Sequence, residues 1–134
     1  MKRIFSIIAA LLFACSAGAQ KTPEGLFIDS KAPDFRAKDQ TGLEVHLKDL
    51  LKKGKVVLVF YRGQWSPYCT RELKQLEDSL QRIITKGATL IAVTPEKPES
   101  ITKTIEKTSA SYSILYDDGL KIMKAYDVAF EVDE

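Results

Sequence analysis

The residues of this chain best suited to chemistry sit in one stretch, Arg62-Gly63-Gln64-Trp65-Ser66-Pro67-Tyr68-Cys69. Ser66 is a residue type that caps helices, and Pro67 fits the first helical position. Together they predict Cys69 in the first turn of a helix, among amide N–H groups with no acceptor inside the helix. The thiolate is the reactive form of cysteine, and the positive end of a helix favours it. With a cation close by, such placement lowers a thiol pKa from about 8.5 to about 3.5–7.5. Arg62 and Arg71 are the cations near in sequence. The Ser66 hydroxyl is placed either to donate to the sulfur or only to cap the helix. A free cysteine is also a common core residue that packs as a small hydrophobe. The setting between a strand and a helix favours the reactive reading; the packed one stays open.

Other candidates carry less. Trp65, Pro67 and Tyr68 either shape a shallow substrate surface or join the core, where Trp and Tyr need a polar partner. His46 is the single histidine, far in sequence from Cys69. It reads as an ordinary strand residue with no third group to orient it, rather than as the base of a Cys–His pair. The Lys and Glu residues from Glu96 to Lys107 read as a solvated helix face. No cluster has metal-ligand spacing and no glycine loop would cradle a phosphate, so neither a metal nor another cofactor is expected.

The leader changes the meaning of the composition. Met1-Lys2-Arg3, the apolar run Ile4 to Ala14 and Ala17-Gly18-Ala19 follow the order of a secretory signal peptide, residues 1–19, cut before Gln20. The run is too short to remain as a spanning helix. Leu12-Phe13-Ala14-Cys15 is an alternative lipoprotein box with Cys15 lipidated, weakened by the bulky Phe13. The expected location is periplasmic or secreted, with a membrane involved only if Cys15 is lipidated. Of 20 basic and 18 acidic residues, Lys2 and Arg3 leave with the leader, so 18 of each remain and the mature part is neutral. That removes the usual argument for a nucleic-acid partner. Cys69 is then the only free thiol of the mature chain.

Behind a flexible lead-in at 20–30, one domain is expected over 31–134. Phe35–Lys38 and Leu43–Leu47 flank the turn Asp39-Gln40-Thr41-Gly42 and predict a β-hairpin. Val56–Tyr61 is an unbroken apolar run, predicting a strand buried on both faces. Leu73, Leu76, Leu80 and Ile83 recur at helical spacing, predicting a helix over 66–86 that ends at Gly87. Ala88–Val93 is a second buried strand, completing a strand–helix–strand unit. A short helix over 99–108, a third strand over 112–116 and a helix over 120–126 follow, and 128–134 tails away.

Lys31-Ala32-Pro33-Asp34-Phe35, the turn 39–42, Leu47-Lys48-Asp49-Leu50 and Val56–Tyr61 resemble the opening of a redoxin domain, the peroxiredoxin and alkyl hydroperoxide reductase branch of the thioredoxin fold. Phe60-Tyr61-Arg62-Gly63 through Trp65, with Pro67-Tyr68-Cys69, is similar to the Arg-Gly-x-Trp-Cys-Pro-Tyr-Cys of peroxiredoxin-like proteins. The resemblance covers about 30–126. It implies an α/β fold, a thioredoxin-like three-layer α/β/α sandwich. Against the family pattern Pro-x-x-x-Thr/Ser-x-x-Cys, Ser66 falls on the hydroxyl position and Cys69 on the peroxidatic cysteine.

Three departures bear on function. Ser66 replaces the leading cysteine of a Cys-x-x-Cys pair, so a dithiol cycle cannot close within this chain. The motif's proline is Arg62. The family's C-terminal β-hairpin and helix are missing from the sequence, which is expected to be truncated, split, or completed by another chain. One hairpin strand of the family pairs with the equivalent of Val56–Tyr61, so an open apolar edge is expected there. The resemblance thus implies a one-cysteine thiol peroxidase with catalytic Cys69, Ser66 and Arg62, a hydroperoxide substrate and an external thiol reductant. The alternatives are a monothiol protein exchanging disulfides and a catalytically inactive redoxin module. A homo-oligomer is left open.

Overall fold

The computed structural model describes residues 22–130. Residues 1–21, which hold the expected signal peptide, Cys15 and the start of the expected lead-in, and residues 131–134 lie outside the described residues. The order of elements is β1 (Arg36–Lys38), β2 (Glu44–His46), α1 (Leu47–Leu51), β3 (Lys55–Phe60), α2 (Pro67–Thr85), β4 (Ala88–Thr94), α3 (Pro98–Thr108), β5 (Ser113–Tyr116), a 3-10 turn (Asp118–Leu120) and α4 (Lys121–Ala125). β1 and β2 form the expected antiparallel hairpin. Its turn is held by Asp39, whose Oδ1 accepts from the N–H of Thr41 at 2.9 Å and of Leu43 at 3.1 Å. Gly42 supplies the left-handed residue, at φ 84°.

β3, β4 and β5 make a parallel sheet in that order. Side chains alternate across it with the period of two that extended chain imposes. Leu90 and Ala92 of β4 and Ile114 of β5 face one core, which takes Leu73 of α2 and Ile101 of α3. Ile91, Val93 and Leu115 face the other, which takes Phe35, Val45, Leu47 and Ile122 from the hairpin, α1 and α4. The result is the thioredoxin-like three-layer α/β arrangement. α2 ends as expected, with Gly87 at φ 74° just past Lys86.

Two expectations need correction. The hairpin's second strand stops at His46, and Leu47–Leu51 forms α1 instead of continuing it. Leu47, Leu50 and Leu51 share one helical face, but five residues are too few for a periodicity to declare itself. β3 is also not buried on both faces: none of its residues is fully buried, and Val57 is 37% exposed. An apolar run reports suitability for a sheet, whereas burial depends on neighbours. β3 pairs only with β4 among the described residues, so its outer edge is open, as expected. The most buried strand is β4, whose last five residues are all buried.

The opposite edge is treated differently. Gln40 accepts the N–H of Ile114 at 2.8 Å through Oε1 and donates through Nε2 to the carbonyl of Tyr112 at 3.2 Å. A side-chain amide thereby stands in for a neighbouring strand along β5.

Leu73 is 1% exposed and faces the sheet one turn after Cys69. Leu73→Ala is expected to cost about 3 kcal/mol by leaving a cavity, measured as a lower urea midpoint at unchanged slope. A loss of under about 1 kcal/mol would show that α2 is not locked to the sheet as described.

Candidate active site

The site lies where β3 runs out into α2. The N–H of Tyr61 still bonds to the carbonyl of Val93 at 3.1 Å, prolonging the sheet ladder by one residue. The chain then turns, with the N–H of Ser66 donating to the carbonyl of Gly63 at 3.2 Å. Gly63 is buried, and a β-carbon there would lie 2.5 Å from Nε1 of Trp65 and 2.6 Å from Oε1 of Glu96. Only glycine fits this turn without displacing both groups.

α2 opens as its sequence directs. Ser66 is the N-cap, with extended backbone at φ −88°, ψ 115°, and its hydroxyl oxygen accepts the N–H of Cys69 at 3.4 Å. Pro67 occupies the first turn, where its missing N–H costs nothing. Ser66 is 1% exposed, whereas Cys69 is half-buried and free. Burial pushes the Cys69 thiol up. Hydrogen bonds from the Ser66 hydroxyl and from the backbone N–H groups of Arg62 and Gly63, together with the Arg62 charge, outweigh this. The net result is a thiol below the ordinary cysteine value. The Ser66 hydroxyl caps the helix, and its one hydrogen remains available to the sulfur, since a hydroxyl has one hydrogen and two lone pairs.

Arg62 is the cation that acts on the sulfur, and its guanidinium lies over the Trp65 ring at 5.2 Å. Arg71 lies over Tyr68 at 5.4 Å. Trp65 is 61% and Tyr68 73% exposed, which places both on the surface and excludes the core reading. Pro67 is exposed beside them. Arg62 and Trp65 also border an apolar cleft of about 450 Å³ with Phe60, Leu120, Met123 and Phe130. Tyr61, behind the sulfur, is 5% exposed. Burial raises its phenol, and the hydroxyl pairs with Thr104 Oγ1 at 3.4 Å.

His46 is not part of this site. Its Nε2 meets Asp34 Oδ2 at 2.8 Å and its Nδ1 meets Asp49 Oδ2 at 3.4 Å. Two carboxylates therefore orient it, contrary to the reading of an unoriented strand histidine, and they tie α1 to the segment before β1. No group of metal-ligating residues occurs among the described residues.

Two residues read as solvated belong instead to the site's support. Glu96 Oε1 accepts the N–H of Gln64 at 2.9 Å, and Lys107 donates to the Gln64 carbonyl at 3.2 Å. Sequence offered one usable signal, the step Thr94-Pro95-Glu96 directly after a buried strand, at the sheet end where α/β sites form.

A thioredoxin-type sheet with a lone thiol at the start of the helix after β3 defines a class of thiol proteins. The chain belongs to the AhpC/TSA family, whose model matches residues 28–133. It is 37% identical over 102 residues to Peroxiredoxin Bcp of Bacillus subtilis (strain 168), covering 75% of this chain and 64% of that protein. It is 28% identical over 134 residues to the thiol-disulfide oxidoreductase ResA of Bacillus cereus, covering 94% of this chain and 76% of that one. Among solved structures, Peroxidoxin BcpB from Mycobacterium tuberculosis matches with a TM-score of 0.66 and 26% identity, over 80% of this chain and 66% of that one. The chain thus spans less than two thirds of the Bacillus subtilis relative.

Ser66→Ala is expected to raise the pH midpoint of Cys69 alkylation by iodoacetamide and to cost about 1 kcal/mol of stability through the lost cap. The folded thiol lies below its unfolded value, so ionisation of Cys69 adds stability in full above the unfolded pKa, and this is lost as pH falls through the folded pKa. An unchanged midpoint in Ser66→Ala would mean that the hydroxyl only caps the helix.

Proposed function

We propose that the protein is a one-cysteine thiol peroxidase of the peroxiredoxin type. The observation that carries the reading is Cys69, half-buried and free in the first turn of α2 behind the Ser66 cap; burial raises its thiol, and Ser66, Arg62 and Gly63 bring it below the ordinary value. The Cys69 thiolate attacks one oxygen of a hydroperoxide. A sulfur–oxygen bond forms as the O–O bond breaks, and the leaving oxygen takes a proton to become alcohol or water. Cys69 is left as sulfenic acid. An external thiol condenses with it, releasing water and giving a mixed disulfide; a second external thiol then displaces the Cys69 thiolate. The sequence holds one other cysteine, Cys15, within the segment proposed to be removed, and the proposal takes an external thiol as reductant.

In this reading Ser66 and Arg62 hold the thiolate, while Trp65, Pro67 and Tyr68 form the surface that a substrate meets. Monothiol disulfide exchange is the second reading, favoured by the exposed Trp65 and Tyr68 beside the sulfur and by the likeness to ResA. A redoxin module without activity is the third. Export also belongs to the proposal: removal of 1–19 leaves a soluble periplasmic or secreted protein whose domain spans 31–134.

Purified protein is expected to consume hydroperoxide with dithiothreitol as reductant, and Cys69→Ala to reduce turnover at least about a hundredfold. Turnover that survives Cys69→Ala would reject the peroxidase. Trapped mixed disulfides without peroxide consumption would transfer the assignment to disulfide exchange. N-terminal sequencing of the exported product is expected to begin at Gln20; a membrane-bound form lipidated at Cys15 would overturn the soluble assignment.

A further inference from the structure

The turn that supplies amides to the sulfur is itself pinned from outside. Glu96 follows β4 and reaches across to Gln64, whose N–H it accepts at 2.9 Å through Oε1. Its Oε2 accepts from the hydroxyl of Thr104 at 3.4 Å. Thr104 is 0% exposed, and its hydroxyl oxygen is also the partner of the Tyr61 hydroxyl. The single hydrogen of the Thr104 hydroxyl is shared with the Ser100 carbonyl at 3.3 Å, so α3 contributes a second, partial contact to the carboxylate. Lys107, also on α3, holds Gln64 from the other side through its carbonyl oxygen at 3.2 Å and through Oε1. Gly63 is trapped between the Glu96 carboxylate and the Trp65 indole, with no room for a β-carbon. Rotation of the 62–64 backbone would therefore break contacts to two separate elements.

We propose that Glu96 is a positioning residue for the Cys69 site: through the Gln64 N–H its carboxylate holds the Arg62–Gly63 turn in the orientation that aims both amides at the sulfur. Its effect runs through hydrogen-bond acceptance. A carboxylate's charge by itself would disfavour a thiolate nearby, so the geometric and electrostatic contributions have opposite signs. Lys107 and Arg62 supply opposing positive charge, and Tyr61 stays protonated between the network and the sulfur. The inference rests on Cys69 being the reacting thiol proposed above.

Opposite signs make the test selective. Glu96→Ala removes both acceptance and charge; Glu96→Gln removes the charge and keeps an oxygen able to accept the Gln64 N–H. The readout is the pH profile of Cys69 alkylation by iodoacetamide on full-length mature protein, with thermal unfolding measured in parallel. Glu96→Ala is expected to leave about threefold less thiolate at neutral pH, with Glu96→Gln at or above the wild-type level. A residue that only braces the fold would lower the unfolding temperature and leave the alkylation profile unmoved. An unchanged profile in Glu96→Ala, or equal losses in Ala and Gln, would overturn the proposal. If Glu96→Ala does not fold, Glu96→Met, which keeps the bulk but neither charge nor acceptor, must shift the profile in the same direction; no shift there overturns it equally. Alkylation needs no peroxide, so failure here is separate from failure of the peroxidase assay.

Discussion

A thiolate partly withdrawn from water must find its hydrogen-bond donors and its counter-charge within the protein. Here they come from the segment 62–69. Ser66 supplies a hydroxyl, Arg62 and Gly63 supply amides, and Arg62 adds a charge. None of these groups is useful unless the chain leaves β3 and enters α2 at one angle. The parallel pairing of β3 with β4 fixes where the turn begins. The capped first turn of α2 fixes where it ends.

The rest of the domain serves that geometry by layers. α2 is seated by Leu73, Leu76, Leu80 and Ile83 against one face of the sheet, which sets the height of Cys69 above the strand ends. The hairpin, α1 and α4 cover the other face. The loop after β4 and the flank of α3 then close on the turn through Glu96 and Lys107, so two later segments brace the turn beside the sulfur. The open outer edge of β3 and the cleft beside Trp65 adjoin the same region. A strand laid on that edge would also border the site.

Local determinants were legible in the sequence. Ser66-Pro67 announces a helix start whatever surrounds it, and Gly87 announces its end, because caps depend on a few adjacent residues. The strand–helix–strand unit and the position of Cys69 follow from such signals. Exposure did not follow: Trp65 and Tyr68 have the same composition in a core or on a surface, and β3 reads as a buried strand although it is an edge among the described residues. Long-range support was largely invisible. Glu96 is 32 residues from Gln64 and Lys107 is 43; apart from the place of Glu96 just after a buried strand, nothing local separates a residue that braces a loop from one that faces water. His46 shows the same limit, since Asp34 reaches it from 12 residues away.

The central claim is that Cys69 is a partly buried thiol that ionises more readily than free cysteine. Titration of the Cys69 β-carbon by NMR, in protein labelled at cysteine, observes this group directly and needs no reagent or substrate. A single transition is expected with its midpoint below that of free cysteine, about 8.5. A midpoint at or above that value would contradict the stabilisation by Ser66, Arg62 and Gly63, and the peroxidase reading along with it.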